Sequence, residues 1–282
     1  MDSSSTNNTP NRRTFLRHSL LGAGAVAGMA GAGAVASNTS QAPELPWPYK
    51  PLDLVTVRKR THLNYGSMHC AEGVFTTLVD CLAETVGAPY DTVPTAMMRY
   101  ANSGVVGFGS LCGALNGAGA AMSLACPGST VKELLTELIS WYASTPLPSE
   151  ISNAYATEHD YLDGDNYSID IALPPSLARG NLCHMSVSNW CSVSGFASGS
   201  KERAERCARL SADVAAKAAE LMNAWHAGHF RTVTPLPADG QNCRRCHSKS
   251  HDSYTRGKMD CTVCHTDPTR PSHANHANIE HD

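Results

Sequence analysis

Residues 201–227 read KERAERCARLSADVAAKAAELMNAWHA, the longest stretch of helical periodicity in the chain. Apolar side chains recur there at three- and four-residue intervals, so one stripe of the helix faces a core; they are Cys207, Leu210, Val214, Ala218, Leu221 and Trp225. Aromatic residues make up only 6% of the chain and alanine is abundant, which also favours helices. We therefore expect a mainly α fold, with a helical body and a small, irregular C-terminal segment.

Three further helices precede this one. Leucine and valine residues spaced by four predict a helix over residues 67–87, and a stretch rich in glycine and alanine predicts another over 111–125. Each glycine inside a helix costs up to about 1 kcal/mol, so a close approach of two backbones must compensate in the second helix. The capping box Thr130-x-x-Glu133 predicts the third, over 130–144.

Two C-x-x-C-H motifs lie near the C-terminus: Cys243-Arg244-Arg245-Cys246-His247 and Cys261-Thr262-Val263-Cys264-His265. This motif is the attachment site of a c-type haem. Its cysteines form thioethers to the haem vinyl groups, and the adjacent histidine reaches the iron from one face. Two copies predict two covalent haems, attached at Cys243, Cys246, Cys261 and Cys264, with His247 and His265 as proximal axial ligands.

Other classes of protein also use paired cysteines. A zinc ribbon closes a tetrahedron with four thiolates, but it needs no histidine after both pairs, and residues 247–260 are slightly shorter than the usual interval. A cytosolic thiol-redox site has C-x-x-C without a following histidine. A structural zinc protein is therefore the less favoured alternative.

The N-terminus has the features of an export signal. Residues 11–16 read NRRTFL, and a mild apolar run from Leu20 to Ala36 follows, ending in the A-x-A cleavage pattern. The paired arginines resemble those of a twin-arginine signal peptide, whereas a transmembrane helix needs about 20 strongly apolar residues. We expect cleavage after residue 36, export to the periplasm and no stable membrane insertion afterwards.

Composition and turn residues predict the domain organisation. We expect a cleaved signal at 1–36, a proline-containing lead-in at 37–66, a helical, cysteine-containing domain at 67–234 and a dihaem cytochrome c module at 235–282. The formal net charge is −3, and it becomes more negative once the arginines of the signal are removed. This charge argues against nucleic acid as a ligand and favours partners with cationic surfaces.

Seven of the 11 cysteines lie upstream of the haem motifs. Cys70 and Cys112 are each in the first turn of a predicted helix, where the partial positive charge favours the thiolate that a metal requires. Cys183 is expected in a tight loop at the end of an irregular stretch, 145–182, and Cys207 on the buried face of the long helix. These four could converge on one iron–sulfur cluster, or they could fill space in the core, as free cysteines often do.

Several of these stretches resemble a known family. They are Cys70-Ala71-Glu72-Gly73, the block Gly109–Ala118 around Cys112, the Cys183-His184 loop, and Cys207. Together they resemble the family that is named for its C-GCAxxG-C-C cysteine pattern, although the chain reads Cys112-Gly113-Ala114 where the pattern has Gly-Cys-Ala. With the two haem motifs added, the chain resembles the split-Soret cytochromes c.

This resemblance implies a helical, dimeric periplasmic protein with two closely stacked bis-histidine haems in each chain. It also implies an iron–sulfur centre held by Cys70, Cys112, Cys183 and Cys207, with Cys191 as the alternative to Cys183. Cys81 and Cys126 do not fall on the four-cysteine pattern and are interpreted as core or spare thiols.

Each bis-histidine haem needs a distal ligand from elsewhere, because its own motif occupies only one face. The candidates are His226, His229, His251, His273 and His276, and the resemblance suggests that the partner subunit of a homodimer can supply one. Haem ligated on both faces has no open site, so we predict electron transfer with periplasmic redox proteins. The alternative is a haem and iron–sulfur oxidoreductase with an open coordination site, although no Ser/His/Asp or paired-carboxylate site is evident.

Overall fold

A computed structural model describes residues 43–160, 169–237, 241, 243–244, 247–248 and 257–263. Within these residues the fold is mainly helical, as predicted. The signal peptide predicted at 1–36 lies outside them. In the part of the chain that the structure describes, no helix is both long and apolar enough to cross a bilayer.

The elements of the body follow one another from Leu54 to His226. The helices are α1 Leu54–Val86, α2 Gly113–Ala125, α3 Gly128–Ser144, α4 Glu150–Thr157, α5 Cys183–Ser194 and α6 Lys201–His226. Two 3₁₀ helices, Tyr90–Thr92 and Thr95–Ala101, and a turn at Asn102–Val105 connect α1 to α2. The strands β1, Pro146–Leu147, and β2, Ser176–Leu177, pair antiparallel with Pro146 opposite Leu177.

The core lies between α1 and α6, which pack along each other, with α2 against both. Leu78 and Leu82 of α1 and Leu210 and Val214 of α6 are among its fully buried side chains. Burying one side chain of this size contributes about 1.5–3 kcal/mol. The α1–α6 contact is therefore a main source of stability. It also positions Cys70 of α1 relative to Cys207 of α6.

The predicted long helix is confirmed as α6. Ser200 caps it by accepting a hydrogen bond from the Arg203 amide at 3.1 Å, and most of the expected apolar stripe is buried. Four charged side chains of α6 are buried as well: Glu205, Arg206, Arg209 and Asp213. The apolar period did not predict their burial, because charged residues normally mark the solvent face of a helix.

The predicted start of the first helix is wrong. Asp53 caps α1 by accepting from the Thr56 amide at 2.8 Å, so the helix begins at Leu54, inside the predicted lead-in. Its backbone leaves helical geometry at His69, where φ is 61° and ψ is −163°. A second helical segment therefore starts at Cys70, which keeps the predicted place of this cysteine at a helix N-terminus.

Two further local predictions are wrong. Thr130 lies inside α3, which begins at Gly128 after Pro127, so it does not act as the N-cap of a capping box. Cys183 is the first residue of α5 rather than part of a loop. The stretch 145–182 was expected to be irregular, but it contains α4 and both short strands.

Candidate metal centre

Four cysteines from separate elements line one small cavity. Cys70 follows the break in α1, Cys112 precedes α2, Cys183 begins α5 and Cys207 lies in the second turn of α6. The volume of the cavity is about 40 Å³. A space of this size suits a small inorganic group and is too small for an organic cofactor.

Asn102 holds the break in α1 that places Cys70. Its Oδ1 accepts from the Ala71 amide at 2.8 Å, and its Nδ2 donates to the Met68 carbonyl at 3.0 Å. One side chain thus bonds the backbone on both sides of His69, where the helix cannot satisfy its own amides. Oδ1 also lies 3.9 Å from the Cys70 Sγ.

Gly113 of α2 makes room for the Cys70 sulfur. A Cβ atom at Gly113 would overlap the Cys70 Sγ and lie 3.0 Å from the Ala101 carbonyl oxygen. A Cβ at Gly117, one turn later, would overlap the carbonyl oxygen of Ala71. The glycines therefore allow the close backbone approach of α2 to α1 that the sequence predicts.

A short backbone pairing brings Cys112 next to Cys183. Leu111 and Leu182 form an isolated antiparallel bridge. The Cys112 amide donates to the Asn181 carbonyl at 2.8 Å, and the Cys183 amide donates to the Ser110 carbonyl at 2.7 Å. Residues far apart in sequence therefore face the same cavity.

The thiols of this cavity are hard to ionise in the absence of a cation. Burial, together with the other cysteines of the group, raises the pKa of Cys70 and of Cys183 to about 12 each. Burial also raises the pKa of Cys112, although the Ala114 and Leu115 amides at the start of α2 act against it. The expected helix N-terminus effect is present, but burial outweighs it. A metal ion would supply the positive charge that stabilises the thiolates.

Arg206 places a buried positive charge beside the cysteines. It is 1% exposed, its Nη1 lies 3.9 Å from the Cys207 Sγ, and its Nη2 donates to the Ser186 hydroxyl at 3.0 Å. Its Nε has no hydrogen-bond partner among the described residues. A guanidinium stays charged in a protein, and a buried charge without full compensation is costly. The cavity therefore suits a group of net negative charge, such as a thiolate-ligated cluster.

The spacing of the side chains bears on the kind of metal group. Within the described ranges, no three His, Cys, Asp or Glu side chains stand as close together as the ligands of one ion. In an iron–sulfur cluster, the cysteines bind different irons that are bridged by sulfide. The four thiols that line this cavity are ligands of the type that such a cluster requires.

Comparison with known proteins agrees with this geometry. Residues 68–221 match a family model described as "putative redox-active protein (C_GCAxxG_C_C)". This match includes all four cysteines of the cavity. The chain belongs to the C_GCAxxG_C_C family.

One relative of the chain is a cytochrome. The chain is 38% identical over 218 residues to the split-Soret cytochrome c of Desulfovibrio desulfuricans, a match that covers 75% of each chain. It also resembles the solved structure of that cytochrome, with a TM-score of 0.70 and 34% identity over 83% of this chain and 95% of the other. That structure is described as containing a novel iron centre. These relationships support an electron-transfer redox protein.

Three of the predicted haem-binding residues lie among the described residues of the predicted module at 235–282: Cys243, His247 and Cys261. The His247 amide donates to the Cys243 carbonyl at 2.9 Å, so these two residues of the first motif lie close together. Burial and the nearby Cys243 raise the pKa of Cys261, so the first cysteines of the two motifs lie close together. The remaining predicted haem residues lie outside the described residues: Cys246, Cys264, His265, His251, His273 and His276.

Two distal candidates lie at the end of α6. The ring of His226 stacks on Tyr49 with centroids 4.0 Å apart, and its Nε2 is 3.1 Å from the Ala125 carbonyl oxygen. His229 follows the helix and is exposed. Iron ligation through Nε2 of His226 would replace its contact with the Ala125 carbonyl oxygen.

The remaining cysteines lie away from the cavity. Cys191 packs against a small cluster of Ile169, Leu173 and Trp190, so Cys183 is the better placed of the two alternatives. Cys81 is buried with its Sγ 3.8 Å from Arg60 Nη1, and Cys126 has its Sγ 3.8 Å from His226 Nε2.

Sequence reasoning missed Tyr65 and Arg206, which line the cavity, and Asn102, which lies beside Cys70. Burial, reinforced by Cys207 and Cys70, raises the pKa of the Tyr65 hydroxyl. Arg206 is adjacent to Cys207 in sequence, and that adjacency was the one available signal. No spacing rule connects Asn102 with Cys70.

Proposed function

We propose that the chain is a periplasmic electron carrier with two c-type haems and one iron–sulfur centre. The centre would be held by Cys70, Cys112, Cys183 and Cys207. The observation that carries this half of the proposal is that all four line one small cavity. The haem half is supported by the two C-x-x-C-H motifs and by the relationship to a cytochrome.

The residues around the cavity would each contribute to holding the centre. The four thiolates would ligate iron, and Arg206 would offset their negative charge. The side chains of Val187 and Leu210 form apolar parts of the wall and limit access of water. When bound, an iron–sulfur cluster would supply one-electron acceptor and donor chemistry.

In the haem module, His247 and His265 would each bind one iron from the attached side. Histidines on both faces would leave no position for a substrate, which favours a carrier over a catalyst. The distal ligands would come from the group His226, His229, His251, His273 and His276.

Location and assembly belong to the same proposal. The twin-arginine pattern supports export of a body that is already folded, with its centre inserted, and attachment of haem after export. We propose a homodimer in which one subunit can supply a distal histidine to the other. The negative formal charge of −3 suits redox partners with positive surfaces.

Iron and haem analysis tests the centre. The purified mature protein should contain more iron than its two haems account for. Cys112→Ser should lose this excess and keep both haems. Cys81→Ser is the matched control, because Cys81 is equally buried but lies outside the cavity. Iron equal to haem in the unaltered protein would rule out the cluster.

Absorption and electron paramagnetic resonance spectra test the haems. Both ferric haems should be low-spin, and cyanide or carbon monoxide should leave their spectra unchanged. A high-spin haem that binds these ligands would instead favour the alternative, an oxidoreductase with an open coordination site.

A further inference from the structure

A second and much larger cavity lies next to the cysteines. Its volume is about 610 Å³, within the usual range for small-molecule sites. The lining comes from the first half of α1, with His62, Tyr65 and His69, and from the start of α6, with Arg203 and Glu205. None of the predicted haem or cluster ligands lines it.

One wall of this cavity carries the guanidinium of Arg203, which has five N–H donors. Glu205 lies 2.8 Å from His62 Nε2 and 2.9 Å from Arg209 Nε, so its negative charge is already balanced. Arg203 donates from Nε to the Ser198 carbonyl at 2.6 Å and also forms a hydrogen bond with the Cys207 side chain. No carboxylate pairs with it in the described part of the chain, so its other N–H groups are left for a ligand. An anion inside the cavity would therefore gain a charge-assisted hydrogen bond from Arg203.

The two cavities share a wall. Tyr65, Ser103 and Arg203 line both the large cavity and the smaller one that contains the cysteines. The Tyr65 ring also packs edge-on against His69, with centroids 5.9 Å apart. A ligand in the large cavity would contact side chains that also face the thiols.

We propose that the large cavity binds a small oxyanion, either an organic carboxylate or an inorganic oxyanion, through Arg203. This site goes beyond electron transfer, because the protein would bind a small molecule next to the proposed iron–sulfur centre. Tyr65, which lines the same wall, has a hydroxyl group that can donate a second hydrogen bond. The cavity is larger than an inorganic ion requires, and it leaves room for the carbon skeleton of a small organic acid.

Calorimetric titration of the mature holoprotein tests the proposal. Succinate, sulfate and phosphate are titrated separately at constant ionic strength set with sodium chloride. We expect saturable binding of at least one of them. The probe with the highest affinity shows whether the site prefers an organic carboxylate or an inorganic oxyanion. Arg203→Met should lower the affinity for this probe by about tenfold or more, the effect of losing one charge-assisted hydrogen bond. Arg231→Met is the matched control, because Arg231 is exposed and lies outside the cavity.

A second variant guards against an indirect effect of Arg203 on folding. Ala204 lines only the large cavity, so Ala204→Phe should block binding by filling space while leaving the iron content unchanged. Absence of saturable binding with all three probes would overturn the proposal, as would equal affinity in Arg203→Met. Iron analysis of the same samples reports separately on the proposed cluster, so the two proposals fail independently.

Discussion

Gly113 shows how a single residue type makes the cysteine site possible. The Cys70 sulfur occupies the position that a side chain at Gly113 would need. A glycine inside α2 lowers the stability of the helix by up to about 1 kcal/mol, but it allows the backbones of α1 and α2 to approach closely.

Gly113→Ala should therefore lower the free energy of unfolding by about 1–3 kcal/mol, the usual range for overpacking, in spite of its better helix propensity. It should also lower the non-haem iron content, because the Cys70 sulfur must move. Urea unfolding and iron analysis measure the two effects. Gly119→Ala is the control: its Cβ would meet the flexible end of Leu135 at 3.3 Å, so we expect little or no loss.

The raised thiol pKa values predict how the stability of the iron-free protein depends on pH. Cys70 and Cys183 ionise at about 12 in the fold and at 9.0 without its influence. The unfolded chain therefore loses these protons first as the pH rises. The stability that the neutral thiols provide is complete below about pH 9 and is lost between about pH 9 and 12.

Urea unfolding of the iron-free protein at a series of pH values measures this effect. The unaltered chain should lose stability more steeply above about pH 9 than the double variant Cys70→Ser, Cys183→Ser, because serine does not ionise in this range. Parallel curves for the two proteins would contradict the prediction.

At the level of elements, the break in α1 decides where the second half of that helix begins. A straight helix over Leu54–Val86 would not create a helix N-terminus at Cys70. Asn102, in the turn between α1 and α2, supports the break through hydrogen bonds to Met68 and Ala71. The helical period of α1 does not contain this information, because the partner lies in another element.

Asn102→Ala should destabilise the protein by about 2–3 kcal/mol, since it leaves buried backbone groups of α1 without partners. Asn64→Ala in the same helix removes one side-chain bond, to Thr77 at 2.9 Å, and should cost about 0.5–1.5 kcal/mol. Chemical unfolding of both variants provides the comparison. Equal losses would show that the break does not depend on Asn102.

At the level of the whole molecule, buried charges join α6 to distant parts of the body. Arg209 is fully buried, and its Nε donates to Glu205 at 2.9 Å. Its other nitrogens donate to Asn153 at 2.7 Å and to the carbonyls of Ile171 and Ile169 at 2.8 and 2.7 Å. One side chain thus connects α6 with α4 and with the strand-bearing segment that follows.

Arg209→Met should lower the free energy of unfolding by about 3–5 kcal/mol, because it leaves Glu205 and several carbonyl groups buried with fewer partners. Lys217→Met, in the same helix, removes an exposed pair with Glu220 and should cost at most about 1 kcal/mol. Urea denaturation followed by circular dichroism distinguishes the two. A small effect at Arg209 would mean that other contacts hold the segment in place.

The sequence by itself determined the features that depend on local patterns. The period of α6, the helical class of the fold and the two C-x-x-C-H motifs each involve residues within one short stretch. The four cavity cysteines were also named from sequence, but periodicity and helix ends alone favoured core packing for them over cluster ligation. These four were chosen because the chain resembles a known family. The comparisons confirmed the family.

Only the tertiary structure decided which groups surround those cysteines. The pairing of Leu111 with Leu182, the hydrogen bonds of Asn102 and the burial of Arg206 all join residues from different elements. Helix period and capping signals describe the chain over a few turns, and they contain no information on which surfaces meet. The shared wall of Tyr65 and Arg203 between the two cavities depends on how α1 packs against α6. That packing is set by the sum of many buried contacts rather than by any one motif.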